Sequence, residues 1–189
     1  MADSPLNGST DGAAVRRRAF RQALGDGVVA ALFSYWEEKA AGAEMPARSA
    51  IDPIEIPHLL STLYILEPLG DGAFRFRLAG TGVRGLFNAE VTGRRVDEVL
   101  TTPELRENAQ RSYETLMRER RPWLTRTEYE LKGGESVHYR RLALPLGADG
   151  VVERILGAFE IEEEAPAAKP FHLILPEVAR VLDRREIAG

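Results

Sequence analysis

"FRFRLAGTGVRGLF", residues 74–87, carries three glycines in the pattern G-x-G-x-x-G, directly after an expected strand and ahead of an expected helix. This spacing is the fingerprint of a dinucleotide-binding turn when the strand before it is buried on both faces. Here Phe74, Phe76 and Leu78 alternate with arginines, as they would on a strand that has one face toward water. The stretch therefore predicts a strand of an antiparallel sheet.

The residues that follow also differ from those of a dinucleotide-binding fold. Val91, Thr92 and Gly93 interrupt the expected helix soon after it begins. Asp97 has the right distance from the glycines to hold a ribose, but it leads into a helix that starts at Pro103 instead of ending a second parallel strand. Binding of NAD or FAD is therefore not expected. The glycines are expected to let the chain leave a strand sharply and enter a helix.

The rest of the chain predicts a sequence of helices and antiparallel strands. An apolar stripe predicts a helix over residues 26–41, and the turn formers at 70–72 predict a hairpin. Thr102 and Pro103 have the residue types of a helix N-cap and first turn, so a longer helix is expected from there. Three more strands, joined by glycine-containing turns, are expected at residues 122–131, 136–146 and 151–161.

This order of elements resembles the PAS fold. "FRFRLAGTGVRGLFNAEVTGRRVDEVL", residues 74–100, is similar to its central signature, a strand entering a glycine-containing turn, a short helix, and a polar residue with "TG" ahead of a "(V/L)xE(V/L)" turn. Residues 46–68 and "RRLALPL" at 140–146 further resemble small stand-alone bacterial PAS-like proteins. The resemblance covers residues 46–161. It implies an α+β domain, a five-stranded antiparallel sheet with short helices on one face.

The flanking composition divides the remaining residues. The first residues are small and polar, which is typical of disorder, and Val178, Val181 and Leu182 have helical spacing. We therefore predict a disordered tail, an N-terminal helical extension, the PAS-like domain, and a linker with a C-terminal helix, at residues 1–12, 13–45, 46–161 and 162–189 respectively.

The resemblance places a ligand pocket between the inner face of the sheet and the short helices. Strand alternation and the apolar helix positions nominate its lining: Phe76, Leu78, Val83, Phe87, Val96, Leu116, Trp123, Thr125, Tyr129, Leu142, Leu144 and Phe159. Apolar alternation marks burial whatever its use, so the same residues also fit an ordinary core. Thr125 and Tyr129 are more informative, because a polar group in a core needs a partner, and a ligand or water supplies one.

Missing residue types argue against several cofactors. The chain has no cysteine, so it lacks the thiol on which a PAS photosensor forms its flavin adduct. Haem-binding PAS domains use a histidine, commonly from the long helix, and residues 103–120 contain none. His58, His138 and His172 are scattered along the chain, whereas a metal site needs convergent ligands. Haem, a cysteinyl-flavin, NAD and a metal are not expected, and the cofactor stays unknown.

Charge and hydropathy limit the class of partner. The net charge of −4 provides no overall attraction to nucleic acid. No apolar run approaches the ~20 residues of a membrane span. A signal-peptide interpretation of the arginines at 16–18 fails because charged residues lie before the apolar run that follows and between that run and the supposed cleavage site. A cytoplasmic protein is expected, with no nucleic-acid or membrane partner.

The predicted function is that of a non-catalytic sensory or regulatory module, with a small ligand in its core and a protein signalling partner. No acid–base pair or activated nucleophile stands out, so no catalytic residue is assigned. The alternative is a small ligand-carrying or hydrolytic α+β protein that uses the same cavity. A third interpretation is an interaction module with a filled core. The first two need a cavity on the order of several hundred Å³.

The N-terminal helix predicts a homodimer. Its apolar residues surround more than half of the helix, whereas one packing face normally uses a stripe of ~100°. The excess predicts a two-fold pair through the same helix of a second copy. The alternative is that the helix folds back over its own sheet. The residues assigned to the dimer interface are Val29, Leu32, Phe33, Tyr35 and Trp36.

Overall fold

The computed structural model describes residues 8–100, 102–130, 136–162 and 178–186. Five α-helices are α1 Gly8–Leu24, α2 Val28–Ala40, α3 Thr81–Phe87, α4 Val96–Val99 and α5 Pro103–Glu119. Six strands are β1 Leu63–Pro68, β2 Phe74–Ala79, β3 Trp123–Glu130, β4 Ser136–Ala148, β5 Val151–Ile161 and β6 Val178–Glu186. Three single-turn 3₁₀ helices lie in the connector from α2 to β1, at Arg48–Ala50, Pro53–Glu55 and Pro57–Leu59.

The strands form one antiparallel sheet in the order β2-β1-β5-β4-β3-β6. The five predicted strands are all present, with the long helix α5 between β2 and β3. Thr102 is the N-cap of α5, and its hydroxyl accepts a hydrogen bond from the Leu105 amide. The α+β fold class and the five-stranded core are therefore confirmed.

The predicted C-terminal helix is wrong, because Val178–Glu186 forms the strand β6 along the edge of β3. Valines at 178 and 181 favour strand as well as helix in sequence, so spacing alone did not decide between them. The edge of β3 offers a row of unpaired backbone groups, and pairing with it settles the choice. The predicted linker starts at residue 162, and its residues 163–177 lie outside the described part of the chain.

The predicted disordered tail is also too long, since α1 begins at Gly8. Residues 1–7 lie outside the described part of the chain. The extension consists of two helices, α1 and α2, separated by Gly25 and Gly27, which have φ angles of 59° and 136°. These left-handed values suit glycine and end the first helix.

Helices α1 and α2 cover the outer face of the sheet. Leu142 and Leu144 of β4 are fully buried on this face, on the side of α2. The indole Nε1 of Trp36 donates a hydrogen bond to the Pro145 carbonyl at 2.8 Å. The outer layer is therefore part of the core, and the sheet is buried on both faces at β4 and β5.

Helices α3, α4 and α5 cover the inner face of the sheet. The α3 turn approaches the chain at Leu60 and Ser61 so closely that a Cβ on Gly80 would overlap the Leu60 carbonyl oxygen. The amides of Gly82 and Val83 both donate to the Ser61 carbonyl, at 2.7 and 3.2 Å. Two of these glycines thus permit close packing of the chain on itself, and the N-terminus of α3 is occupied by a backbone carbonyl.

Candidate functional site: the inner cavity

A small cavity lies between α5 and the inner face of the sheet. Its volume is about 20 Å³, which is room for roughly one or two water molecules. Both apolar and polar side chains contribute to the wall. The lining residues are Phe76, Phe87, Val96, Leu100, Leu105, Asn108, Tyr113, Thr127, Tyr139, Arg141 and Phe159.

Aromatic rings fill one half of the inner layer. Phe87 of α3 meets Phe76 and Phe159 edge to face, with ring centroids 6.0 and 6.2 Å apart. Tyr139 and Tyr64 approach Phe159 at 5.8 and 5.0 Å. Edge-to-face aromatic pairs add to the burial of their surface. These five rings form one packed cluster on the inner side of the sheet.

The side chain of Tyr64 extends from β1 over β5 to β4 within this layer. It faces Gly157 on the neighbouring strand, and its hydroxyl donates to the Leu142 carbonyl of β4 at 3.0 Å. A Cβ on Gly157 would overlap the phenol ring, so the glycine makes room for the tyrosine. Complete burial raises the pKa of Tyr64 well above its usual value, which keeps the hydroxyl protonated as a donor.

The other half of the inner layer is polar and centres on Arg141. This side chain is 7% exposed. It donates to Tyr113 Oη at 3.1 Å and to Ser112 Oγ at 3.3 Å, and its guanidinium lies 4.9 Å from the Tyr113 ring centroid. Ser112 in turn donates to the Asn108 carbonyl at 2.6 Å. These bonds fix the guanidinium between α5 and β4.

Two polar atoms of this region have no protein partner within the described residues. They are Asn108 Oδ1 on α5 and Thr125 Oγ1 on β3. Both residues are at least 96% buried. Thr125 pairs with Arg141 across the β3–β4 ladder, so both side chains share the inner face. An unsatisfied buried polar group costs about 1–3 kcal/mol.

The described residues provide little for acid–base or metal chemistry here. The lining includes one cationic side chain and neither a carboxylate nor a histidine. In the described ranges, no group of three or more histidine and carboxylate side chains is placed to hold a metal ion. What the cavity offers is hydrogen bonding and positive charge.

The structure brings together only part of the predicted lining. Four predicted residues line the cavity, namely Phe76, Phe87, Val96 and Phe159. Val83, Leu116 and Thr125 are buried, but they do not line the cavity. Trp123 is half-buried against the core. Tyr129 belongs to β3, and its side chain lies outside the described part.

Leu142 and Leu144 were assigned to the wrong face. They alternate with the cavity-lining positions 139 and 141, so they face α2 on the outer side. Because β4 is buried on both faces, apolar character did not mark the inner one. The pair Arg140 and Arg141 held the missing signal: adjacent strand residues point to opposite faces, so one arginine had to face the inner layer.

Leu78 is also not a pocket residue, since it is 40% exposed. The β1–β2 register shifts between Ile65 and Leu66, so that Leu66 faces Phe76 while Ile65 faces Leu78. This bulge moves Leu78 to the opposite face from Phe76. Sequence reasoning also missed Asn108, because a polar residue on the apolar stripe of α5 was not considered as lining.

The predicted dimer interface is buried inside the protein's own core. Val29, Leu32, Phe33, Tyr35 and Trp36 are each at most 9% exposed, and the helix covers its own sheet. The assignment of these side chains to a dimer interface is therefore wrong for this arrangement. The second apolar surface that the wide stripe required is provided by α1, whose Phe20 ring lies 5.2 Å from that of Phe33.

The chain is similar to a known family and to solved structures. The PAS domain family matches residues 27–160, a span that includes α2. One solved structure is described as "Flavin Analogue Sheds Light on Light-Oxygen-Voltage Domain Mechanism". It is 19% identical in sequence with a TM-score of 0.45, and the alignment covers 59% of this chain and 84% of the other chain. A sensory box histidine kinase/response regulator from Burkholderia thailandensis is 10% identical, with a TM-score of 0.37, covering 58% and 84%.

A search of curated proteins found no match. No helix in the described part of the chain is long and apolar enough to cross a membrane. The family match spans more than half of the sequence, and the observed sheet and helices agree with it. The chain belongs to the PAS domain family.

Proposed function

We propose that the protein is a sensory or regulatory module that binds a small ligand in the inner cavity and passes the signal to a partner protein. One observation carries the ligand-binding part. Asn108 Oδ1 and Thr125 Oγ1 are buried without a protein partner, in the polar layer that Arg141 centres. Polar groups inside a core are costly unless they form hydrogen bonds. A hydrogen-bonding ligand in the cavity accounts for Asn108, which lines it, whereas Thr125 lies outside the lining.

The wall supports binding more than catalysis. Its described polar members are an amide, hydroxyls and a guanidinium, none of which is a general base at neutral pH. A hydrolytic activity would need an activated nucleophile or metal-bound water, and the lining offers neither. We therefore propose a non-catalytic module, in the cytoplasm, without a nucleic-acid or membrane partner.

A second candidate function is an interaction module with a permanently filled core. The aromatic packing around Phe87 and the cavity volume of about 20 Å³ favour this alternative, because the volume is far below the several hundred Å³, roughly, of an ordinary ligand pocket. In either case the signal leaves through a surface contact with a partner protein. Pairing of two copies also stays a proposal, and it would use a surface other than the buried face of α2.

Native mass spectrometry of the full chain, purified from its own cells, tests the ligand-binding proposal. We expect a bound small molecule on the wild-type protein and its loss from the Asn108→Leu variant, since Asn108 lines the cavity. An exposed change on α5, Glu107→Gln, serves as the matched control and should keep the mass. A wild-type protein without bound mass, and without a response to a library of small polar molecules, would instead favour the filled core.

A further inference from the structure

We infer that the ligand is a small molecule with one aromatic ring and one O–H or N–H donor, and that it enters the cavity by taking the place of the Phe87 side chain. This inference rests on the proposed function, because it names the ligand class and the entry point of the same cavity. It depends on the burial of the lining residues, on the rings around Phe87, and on the unpaired amide oxygen of Asn108.

Phe87 is the part of the wall that can move aside. It is half-buried, whereas the other described lining residues are buried. The cavity of about 20 Å³ has room for roughly one or two water molecules, so anything larger must displace a side chain of the wall. A half-buried ring can turn outward toward solvent, while a buried ring would have to move through the packed core.

The position of Phe87 in α3 favours this movement. At the start of the helix, the amides of Gly82 and Val83 donate to the Ser61 carbonyl, and Val83 is buried. Phe87 is the last residue of the helix, and the exposed Asn88 that follows has a left-handed φ angle of 46°. The helix is therefore held at its first turn, and its last turn can shift without breaking the contact with Ser61.

The rings around Phe87 select an aromatic ligand. Phe76 and Phe159 meet the Phe87 ring edge to face, with centroids 6.0 and 6.2 Å away. If Phe87 turns outward, it leaves a space of the size of one phenyl ring, continuous with the cavity. A single aromatic ring in that space restores both edge-to-face contacts, which an aliphatic molecule cannot do. A ligand with fused rings would also have to displace a buried side chain of the wall.

Asn108 specifies the hydrogen-bond donor of the ligand. Its Oδ1 atom is an acceptor without a protein partner in the described part of the chain, and the residue is 4% exposed. Because Asn108 and Phe87 border the same small cavity, a hydroxyl or amine on a ring in the Phe87 position can reach this oxygen. Phenol is the simplest molecule with both features. Anisole keeps the ring but has no donor, and cyclohexanol has the donor but no aromatic ring.

Titration calorimetry of the full chain with phenol, anisole and cyclohexanol tests this inference. We expect saturable binding of phenol to the wild type, about tenfold tighter than that of anisole or cyclohexanol, since each of these lacks one of the two contacts. Phe87→Ala opens the space in advance, so it should bind phenol about tenfold more tightly than the wild type. Leu86→Ala changes a half-buried neighbour on the same helix, outside the described lining, and should leave phenol binding unchanged.

Asn108→Leu should reduce the affinity for phenol to that for anisole, because the acceptor for the hydroxyl is lost. If this variant fails to fold, the comparison of phenol with anisole on the wild type decides the same point. Equal affinity of the wild type for these two probes would overturn the inference. Binding of phenol by Phe87→Ala but not by the wild type would also overturn it, since the space would then exist only in the variant.

Other outcomes separate this inference from the proposed function. An aliphatic polar molecule whose binding is lost in Asn108→Leu and unaltered in Phe87→Ala would overturn the inference and leave the proposed function in place. No binding of any small molecule to the wild type would remove both.

Discussion

The carboxylate of Glu160 on β5 accepts a hydrogen bond from the Val28 amide at 2.8 Å and so caps the N-terminus of α2 from the sheet. Its ion-pair partner, Arg140 of β4, donates to the Leu24 carbonyl at the end of α1, at 2.6 Å. One ion pair therefore satisfies the free backbone groups on both sides of the turn between the two helices. Gly27 makes this possible, since a Cβ there would overlap the Glu160 carboxylate.

We expect Glu160→Ala to destabilise the protein by about 2 kcal/mol or more. The variant loses a charge-assisted cap of α2, and it deprives the half-buried Arg140 of its closest carboxylate. Urea unfolding of the full chain measures the change. Glu153→Ala on the same strand removes an exposed carboxylate and serves as the control. Equal stability of the two variants would show that the ion pair does not hold the helices.

Gly157→Ala should destabilise the protein by about 1–3 kcal/mol through overpacking against Tyr64. The added methyl group would displace the phenol ring and its hydrogen bond to the Leu142 carbonyl. Thermal unfolding gives the comparison. Gly70→Ala is a suitable control, because its added Cβ would meet no atom within 4 Å. If both substitutions had the same effect, Tyr64 would not depend on the glycine for its place.

Local patterns in the sequence predicted the elements of the PAS core well. The strand at Phe74–Ala79, the proline-capped start of α5 and the hairpin turns at 70–72 and 147–150 each depend on neighbouring residues, and each of these predictions was confirmed. The order of these elements then sufficed for the fold.

Long-range pairing decided the features that the sequence did not predict. The strand β6 depends on the open edge of β3, which no local pattern of residues 178–186 reveals. The face of Leu142 depends on α2 covering the sheet, and the exposure of Leu78 depends on a bulge at Arg77 in β2. The polar site was missed because the assignment of Leu142 and Leu144 to the pocket left Arg141, which alternates with them, on the opposite face.

Thr125→Val should leave the unliganded protein as stable as the wild type or slightly more stable. The hydroxyl has no partner within the described residues, so its burial destabilises the folded state. Valine removes the hydroxyl and keeps the shape of the side chain. Ser112→Ala provides the contrast, since its Oγ bonds to the Asn108 carbonyl and to Arg141, and its loss should cost about 1 kcal/mol. Chemical denaturation without added ligand measures both. A clear loss of stability in Thr125→Val would mean that the hydroxyl already has a partner.

Glu90 should give the stability of the protein a pH dependence on the acid side. Its carboxylate accepts from the Thr92 amide and from Arg84, each at 2.9 Å, and these bonds lower its pKa to about 2 from 4.5. The folded pKa is depressed, so this stabilisation is complete above pH 4.5 and is lost as the pH falls toward 2. The free energy of unfolding of Glu90→Gln should therefore fall less steeply over this range.

Urea titrations at several pH values between about 5.5 and 2.5 give the free energy of unfolding of Glu90→Gln and of the wild type under identical conditions. The gap between the two proteins should narrow as the pH falls. Glu107→Gln, at an exposed position of α5, controls for the loss of one negative charge. A gap that stays constant with pH would show that the turn at Glu90 forms independently of its charge.

Trp36→Ala decides whether α2 covers its own sheet or pairs two copies. The indole is 2% exposed, stacks at 5.9 Å on Phe33 and bonds to the Pro145 carbonyl, so we expect a loss of about 3–5 kcal/mol from the cavity. Light scattering on the folded variant should give the same mass as the wild type, because the side chain serves the interior of one chain. Ser34→Ala, exposed on the same helix, should alter neither stability nor mass. If the variant kept its stability and light scattering gave half of the wild-type molecular mass, α2 would lie at a dimer interface instead.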